Sequence, residues 1–170
     1  MIILLNGPLG IGKSTLAEAL TERIDGCVML DGDALVAVHP APPDELEHLH
    51  GTLSLLVAHH RQFGYRHFVI DHVWTAPEEI RDLRDRLRTV APGDEFRCFR
   101  LTLPRAENLA RIERRASARA IDEREFELRT VVAERAALES EPVGGLGEPF
   151  DVSAAPCDLA DEMLRRLGMW

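Results

Sequence analysis

Lysine is almost missing from this chain: of its twenty basic residues Lys13 alone is a lysine, and all the others are arginine. Positive charge as a whole is outweighed by 29 acidic residues, which leaves a net charge of −9. That balance disfavours a broad basic surface of the kind that tracks nucleic acid or anionic lipid, so an anionic ligand has to be held by local geometry. Cysteine is scarce too. Cys27, Cys98 and Cys157 are odd in number and widely spaced, which suggests neither a disulfide framework nor a zinc site, and all three are expected to be buried thiols. None of the seven histidines forms an H-E-x-x-H pair, and His48, His50, His59 and His60 are placed mostly on the polar face or edges of an amphipathic helix. No apolar run approaches the length needed to span a bilayer, and Met1 leads directly into Ile-Ile-Leu-Leu without a charged leader, so a cytoplasmic soluble protein without membrane or nucleic-acid partners is expected. At 170 residues with 45% hydrophobic content, one domain over 1–170 with a true core is expected.

What the chain does contain is Gly7-Pro8-Leu9-Gly10-Ile11-Gly12-Lys13-Ser14, which fits G-x-x-x-x-G-K-[ST] and follows the apolar run Ile2 to Leu5. This spacing predicts a phosphate-binding loop between a buried strand and a helix. Backbone N–H groups must wrap phosphate oxygens at close range, and glycine permits both the approach and positive φ angles. Lys13 adds a compact charge on the outer phosphates, and the Ser14 hydroxyl can ligate Mg²⁺. Gly7, Gly10, Ile11, Gly12, Lys13, Ser14 and Thr15 are the expected nucleotide-binding residues. With no second lysine, the N-K-x-D motif that reads guanine cannot exist here.

The remaining chain alternates strands and helices. Predicted strands are Ile2–Asn6, Cys27–Asp31, His67–Asp71, a stretch within Glu95–Leu103, and Phe150–Ser153. Helices are expected from Lys13 to about Arg23, from Asp44 (capping, with Glu47) to about Gln62, and from a Thr75–Glu78 cap with Pro77 to about Val90. Further helices are expected over Arg105–Arg119, about Glu123–Glu139, and Pro156 to Gly168. The prolines of Val36–Pro43 mark an exposed connection, and Gly144 to Gly147 reads as a flexible break. Strand–helix alternation implies a parallel α/β sheet with right-handed crossovers.

In such a sheet ligands bind beyond the carboxyl ends of the strands, where Asp31, Asp33 and Asp71 all fall. Asp33 is placed to accept the proton of an attacking hydroxyl, with Asp31 able to exchange roles with it. Arg111, Arg115 and Arg119 recur every four residues and would share one helical stripe. Glu107 lies four before Arg111 and Glu123 four after Arg119, so Arg115 is expected to lack an intrahelical partner and to contact the transferring phosphoryl group, with Arg119 second. His72 and Trp74, just past Asp71, are expected to line the acceptor pocket.

The chain resembles the small phosphate-loop kinases along nearly its whole length. The resemblance rests on GPLGIGKST, on LDGD at the end of the second strand, on VIDH at the end of the third, on the arginine-rich region after the fourth and on a short terminal strand–helix. LDGD is similar to the acceptor-side motif of adenylylsulfate and gluconate kinases, and FVIDHVW to the corresponding strand of chloramphenicol phosphotransferase-like proteins. The Cys-Ser-Ala-Leu-Lys type segment of the former and the Arg-Gly-Asp-Arg pattern of the latter are absent. The resemblance implies a three-layer P-loop fold with a five-stranded parallel sheet in the order 2-3-1-4-5, helices on both faces and an arginine-rich lid over about 105–125. It implies Asp71 as the strand-three carboxylate that holds Mg²⁺, and a purine site between the lid and the Ser153–Pro156 loop. It further implies transfer of the γ-phosphate of ATP to a hydroxyl of a nucleoside, sugar, sugar acid or hydroxylated antibiotic, by a monomer or homodimer. The rival expectation is a nucleotide-binding sensor that has kept the loop and lost transfer.

Overall fold

A computed structural model describes residues 1–116, 121–142 and 144–169. Its elements in chain order are β1 (Ile2–Asn6), α1 (Lys13–Thr21), β2 (Cys27–Asp31), α2 (Gly32–Leu35), α3 (Glu45–Gln62), β3 (His67–His72), α4 (Pro77–Val90), β4 (Phe96–Thr102), α5 (Arg105–Ala116), α6 (Ile121–Ser140), β5 (Glu148–Asp151) and α7 (Pro156–Arg166). The five strands form one sheet in the order β2-β3-β1-β4-β5, and every pairing is parallel. This is the three-layer P-loop arrangement.

β1 lies at the centre and shows why the order works. All five of its residues are buried, because helices cover both faces of a parallel sheet. Successive side chains point to opposite faces, so Ile3 and Leu5 join Leu16 and Leu20 of α1 and Met163 of α7, whereas Ile2 and Leu4 join Leu49 and Leu53 of α3 and Leu83 of α4. β2 is an edge strand, and three of its apolar residues, Cys27, Val28 and Met29, are accordingly only half-buried.

Several local expectations are corrected. The cap of α4 falls one residue later than expected: Ala76 is the N-cap, and Glu79 rather than Glu78 reaches back, its Oε2 accepting from the N–H groups of Thr75 and Ala76 at 2.8 and 3.1 Å. Pro77 sets this boundary, since it fits the first helical position. At α3, Asp44 does accept from the Glu47 amide, but Glu47 turns outward to Arg86 instead of completing the box. The glycine-rich stretch before β5 is a packed turn, with Leu146 fully buried and its carbonyl accepting from Asn6. β5 itself begins at Glu148, two residues before the predicted start. Cys157 is exposed; only Cys27 and Cys98 are partly buried. His50 is fully buried, not on the polar face of α3.

Candidate active site

The loop after β1 delivers the motif. Gly12 is the N-cap of α1 at φ 110°, a left-handed conformation that L side chains rarely adopt, so the turn requires glycine there. The first turn of α1 then presents Lys13, Ser14 and Thr15, with unpaired amides at a positive helix end. Lys13 is 7% exposed, and its ammonium donates to the carbonyls of Gly7 and Pro8 at 2.9 and 3.3 Å. Burial lowers its pKa, while Asp33, Glu134, Asp71 and Asp31 oppose the shift. The lone lysine is therefore a buried cation whose desolvation is partly offset by four carboxylates.

Asp71 ends the neighbouring strand. The Ser14 hydroxyl donates to Asp71 Oδ2 at 2.8 Å, and Asp71 Oδ1, also buried, has no hydrogen-bond partner. Burial is the main cause that pushes its pKa up to about 6, with the Ser14 bond opposing. A hydroxyl beside an unsatisfied buried carboxylate oxygen is a hard, oxygen-only donor set, which fits a magnesium ion. Ser14 and Asp71 would hold it.

Asp33 reaches the same region from β2 through the one-turn helix α2. The Asp31 side chain accepts from the Ala34 amide through Oδ1 and so caps α2, while its charge still acts on Lys13 and Asp71. Gly32 is needed for this approach, since a Cβ there would lie 2.7 Å from His72 Cβ. Through that contact Asp33 Oδ1 meets His72 Nδ1 at 2.7 Å. The His72 bond is the main cause that lowers the Asp33 pKa, assisted by Lys13.

Behind His72, Trp74 is joined to two residues to which sequence reasoning assigned no role, His50 and Asp82. Trp74, fully buried, sets its ring edge-on to His72 at 5.1 Å and donates its indole N–H to His50 Nε2 at 3.0 Å. Indole is only a donor, so His50 Nε2 accepts and its Nδ1 proton faces Asp82 at 2.7 Å. Trp74 thus backs the pocket wall without reaching its surface. Asn6 fixes the same segment, bonding both the N–H and C=O of Trp74.

Two cavities flank the loop. One, of about 380 Å³, is lined by Gly10, Gly12, Thr15, Arg111, Ala154 and Pro156, and lies where a purine was expected. Arg111 does not pair with Glu107 as its spacing suggested; it donates to the carbonyls of Ile11 and Val152, both at 2.8 Å, because its stripe of α5 packs onto the loop. The side chain of Arg115 and the whole of Arg119 lie outside the described residues. The second cavity, of about 780 Å³, is lined by Leu9, Asp33, Val36, His72, Phe126 and Glu134 among others.

Glu134, which no motif announced, joins loop to cavity. Its Oε2 accepts from the Leu9 amide at 2.6 Å, across 125 residues of sequence. Burial raises its pKa, opposed by the Leu9 bond and Lys13. The only cue in sequence was its place on the inward stripe of a helix.

A family model described as AAA domain matches residues 2–140, and the chain belongs to that family. No curated protein matches. Among solved structures, the tunicamycin resistance protein of Deinococcus radiodurans is similar with a TM-score of 0.69 and 19% identity, over 99% of this chain and 96% of that one. A gluconokinase from Sinorhizobium meliloti 1021 has a TM-score of 0.65 and 21% identity, over 97% and 91%. A sugar kinase from Janibacter sp. HTCC2649 has a TM-score of 0.64 and 17% identity, over 99% and 94%. At these identities the likeness is one of fold.

Proposed function

We propose that this member of the AAA domain family is a small-molecule kinase that moves the γ-phosphate of ATP to a hydroxyl, with Mg²⁺ held at Ser14 and Asp71. The supporting observation is the placement of Asp33: a carboxylate on the far side of the phosphate loop from the Arg111 cavity, opening into a second cavity large enough for a small acceptor.

In this reading the purine occupies the Arg111 side, and the phosphates run across the amides of Gly10 to Thr15 towards Lys13. Ser14 and Asp71 would hold the magnesium ion, which would supply positive charge against the charge that develops on the phosphates. Asp33 has Oδ1 on His72, which leaves Oδ2 to take the acceptor's proton. The acceptor oxygen then bonds to the γ-phosphorus, the bond from phosphorus to the bridging oxygen breaks, and ADP leaves. Arg115 and Arg119 of the lid would stabilise the transferring group.

The test is transfer from labelled ATP to a panel of nucleosides, sugars, sugar acids, amino sugars and hydroxylated antibiotics, scored as labelled product. Acceptor-dependent product is expected with at least one class. ATP binding with a conformational response and no product from any class would favour the sensor instead.

A further inference from the structure

The two cavities differ in charge as well as position. Arg111 and Arg114 line the nucleotide side. The acceptor side is lined, among the described residues, by the carboxyl groups of Asp33, Glu45, Glu127 and Glu134, with His72 its single basic group and no lysine or arginine. Its remaining walls are formed by the apolar Leu9, Val36, Val73 and Phe126 and by Thr130. Such a surface tolerates hydroxyl and ammonium groups and repels anions, and its low-dielectric walls strengthen the repulsion.

Glu134 cannot turn its charge away. The Leu9 amide holds it at 2.6 Å, Asn108 holds the Leu9 carbonyl at 3.1 Å, and the adjoining Arg135 is tied to the Leu103 carbonyl and to Asn108 at 3.1 and 3.3 Å. A carboxylate fixed to the phosphate loop is thus a permanent part of the acceptor wall. Arg135, the neighbouring cation, is directed at Leu103 and lines a different hollow.

We infer that the acceptor is an amine-bearing or uncharged hydroxyl compound and not a carboxylated or phosphorylated one, with Glu134 the specificity-determining residue. The inference rests on the kinase reading for the identity of the cavity and narrows it: amino sugars and other hydroxylated amines match the described wall, whereas sugar acids and 5′-hydroxyl ends of polynucleotides meet its carboxylates. Glu134 does no chemistry in this scheme; it sets which hydroxyl compounds can approach Asp33.

D-Glucosamine, D-glucose and D-gluconate share one carbon chain and differ in charge, so they probe the cavity whatever the physiological acceptor is. Each is titrated into the protein loaded with magnesium and a non-hydrolysable ATP analogue, and binding is read from the imidazole proton resonances of His72, assigned with His72→Gln. Glucosamine is expected to perturb them at concentrations lower than gluconate by about tenfold or more, with glucose between. Glu134→Gln keeps an acceptor for the Leu9 amide and should narrow the gap by about threefold or more. Glu45→Gln, at the exposed start of α3, should narrow it less and serves as a second variant if the first unfolds. Gluconate binding as well as glucosamine, no response to glucosamine, or an unchanged gap in both variants would overturn the inference. Binding is read without transfer, so the expected order in a protein that transfers phosphate to nothing would sink the proposed function and leave only the charge selectivity that Glu134 gives this cavity.

Discussion

Ser14 holds one oxygen of Asp71, at 2.8 Å, and leaves the other buried and without a partner. Burial raises this carboxyl from 3.8 to about 6. Because the folded value lies above the unfolded one, the contribution of Asp71 to stability is present in full below about pH 4 and is lost as pH rises through about 6. Magnesium–nucleotide binding at the proposed site would need the carboxylate and should release a proton in that window. Calorimetry at pH 6 in two buffers of different ionisation enthalpy should detect that release in the native protein and not in Asp71→Asn; equal proton release in both would remove Asp71 from the metal site.

Lys13 is buried, and desolvation of its ammonium is a cost to the fold. Lys13→Met should weaken ATP binding by roughly a hundredfold or more. Removing a desolvated ammonium should at the same time leave the ligand-free protein as stable or raise its stability by about 1–3 kcal/mol. Thermal unfolding with and without nucleotide measures both effects; a large fall in ligand-free stability would contradict the reading of Lys13 as a functional charge.

Asp33→Asn keeps a hydrogen-bonding group opposite His72 and removes the proton acceptor. Nucleotide affinity should change little, while kcat falls by about 10²–10⁴. Single-turnover rates with a responsive acceptor decide this, and an unchanged rate would exclude Asp33 as the base.

His50→Phe deprives the Trp74 indole of its acceptor in a site with no solvent access. A loss of about 1–3 kcal/mol is expected in denaturant unfolding. The indole N–H resonance of Trp74, one of only two tryptophans, should move to the position of an unbonded indole. An unmoved resonance would show that the relay from Asp82 to Trp74 is not formed in solution.

The phosphate loop, the parallel sheet and most helix limits were legible because each depends on neighbours in sequence. Gly12 needs its positive φ for the turn it occupies, and the continuous apolar run of β1 is what a strand covered on both faces requires. Errors fell where a side chain had a choice. Arg111 had a suitable glutamate one turn away and took two backbone carbonyls instead, because a buried carbonyl without a donor costs more than an exposed ion pair returns. Glu47 likewise left the cap for Arg86.

Sequence by itself determined the central event, a loop built for phosphate between a buried strand and a helix, since glycine conformation and the lone lysine are properties of eight consecutive residues. It also placed carboxylates at the strand ends. Only the tertiary structure decided what those carboxylates face. Asp31 turns to cap α2, Asp71 meets Ser14, Asp33 meets His72, and Glu134 arrives from 125 residues away to hold the loop and line the cavity beside Asp33. Apart from the Asp31 cap, which is local, these pairings are contacts between elements far apart in the chain, set by how the layers pack, and no local pattern encodes them.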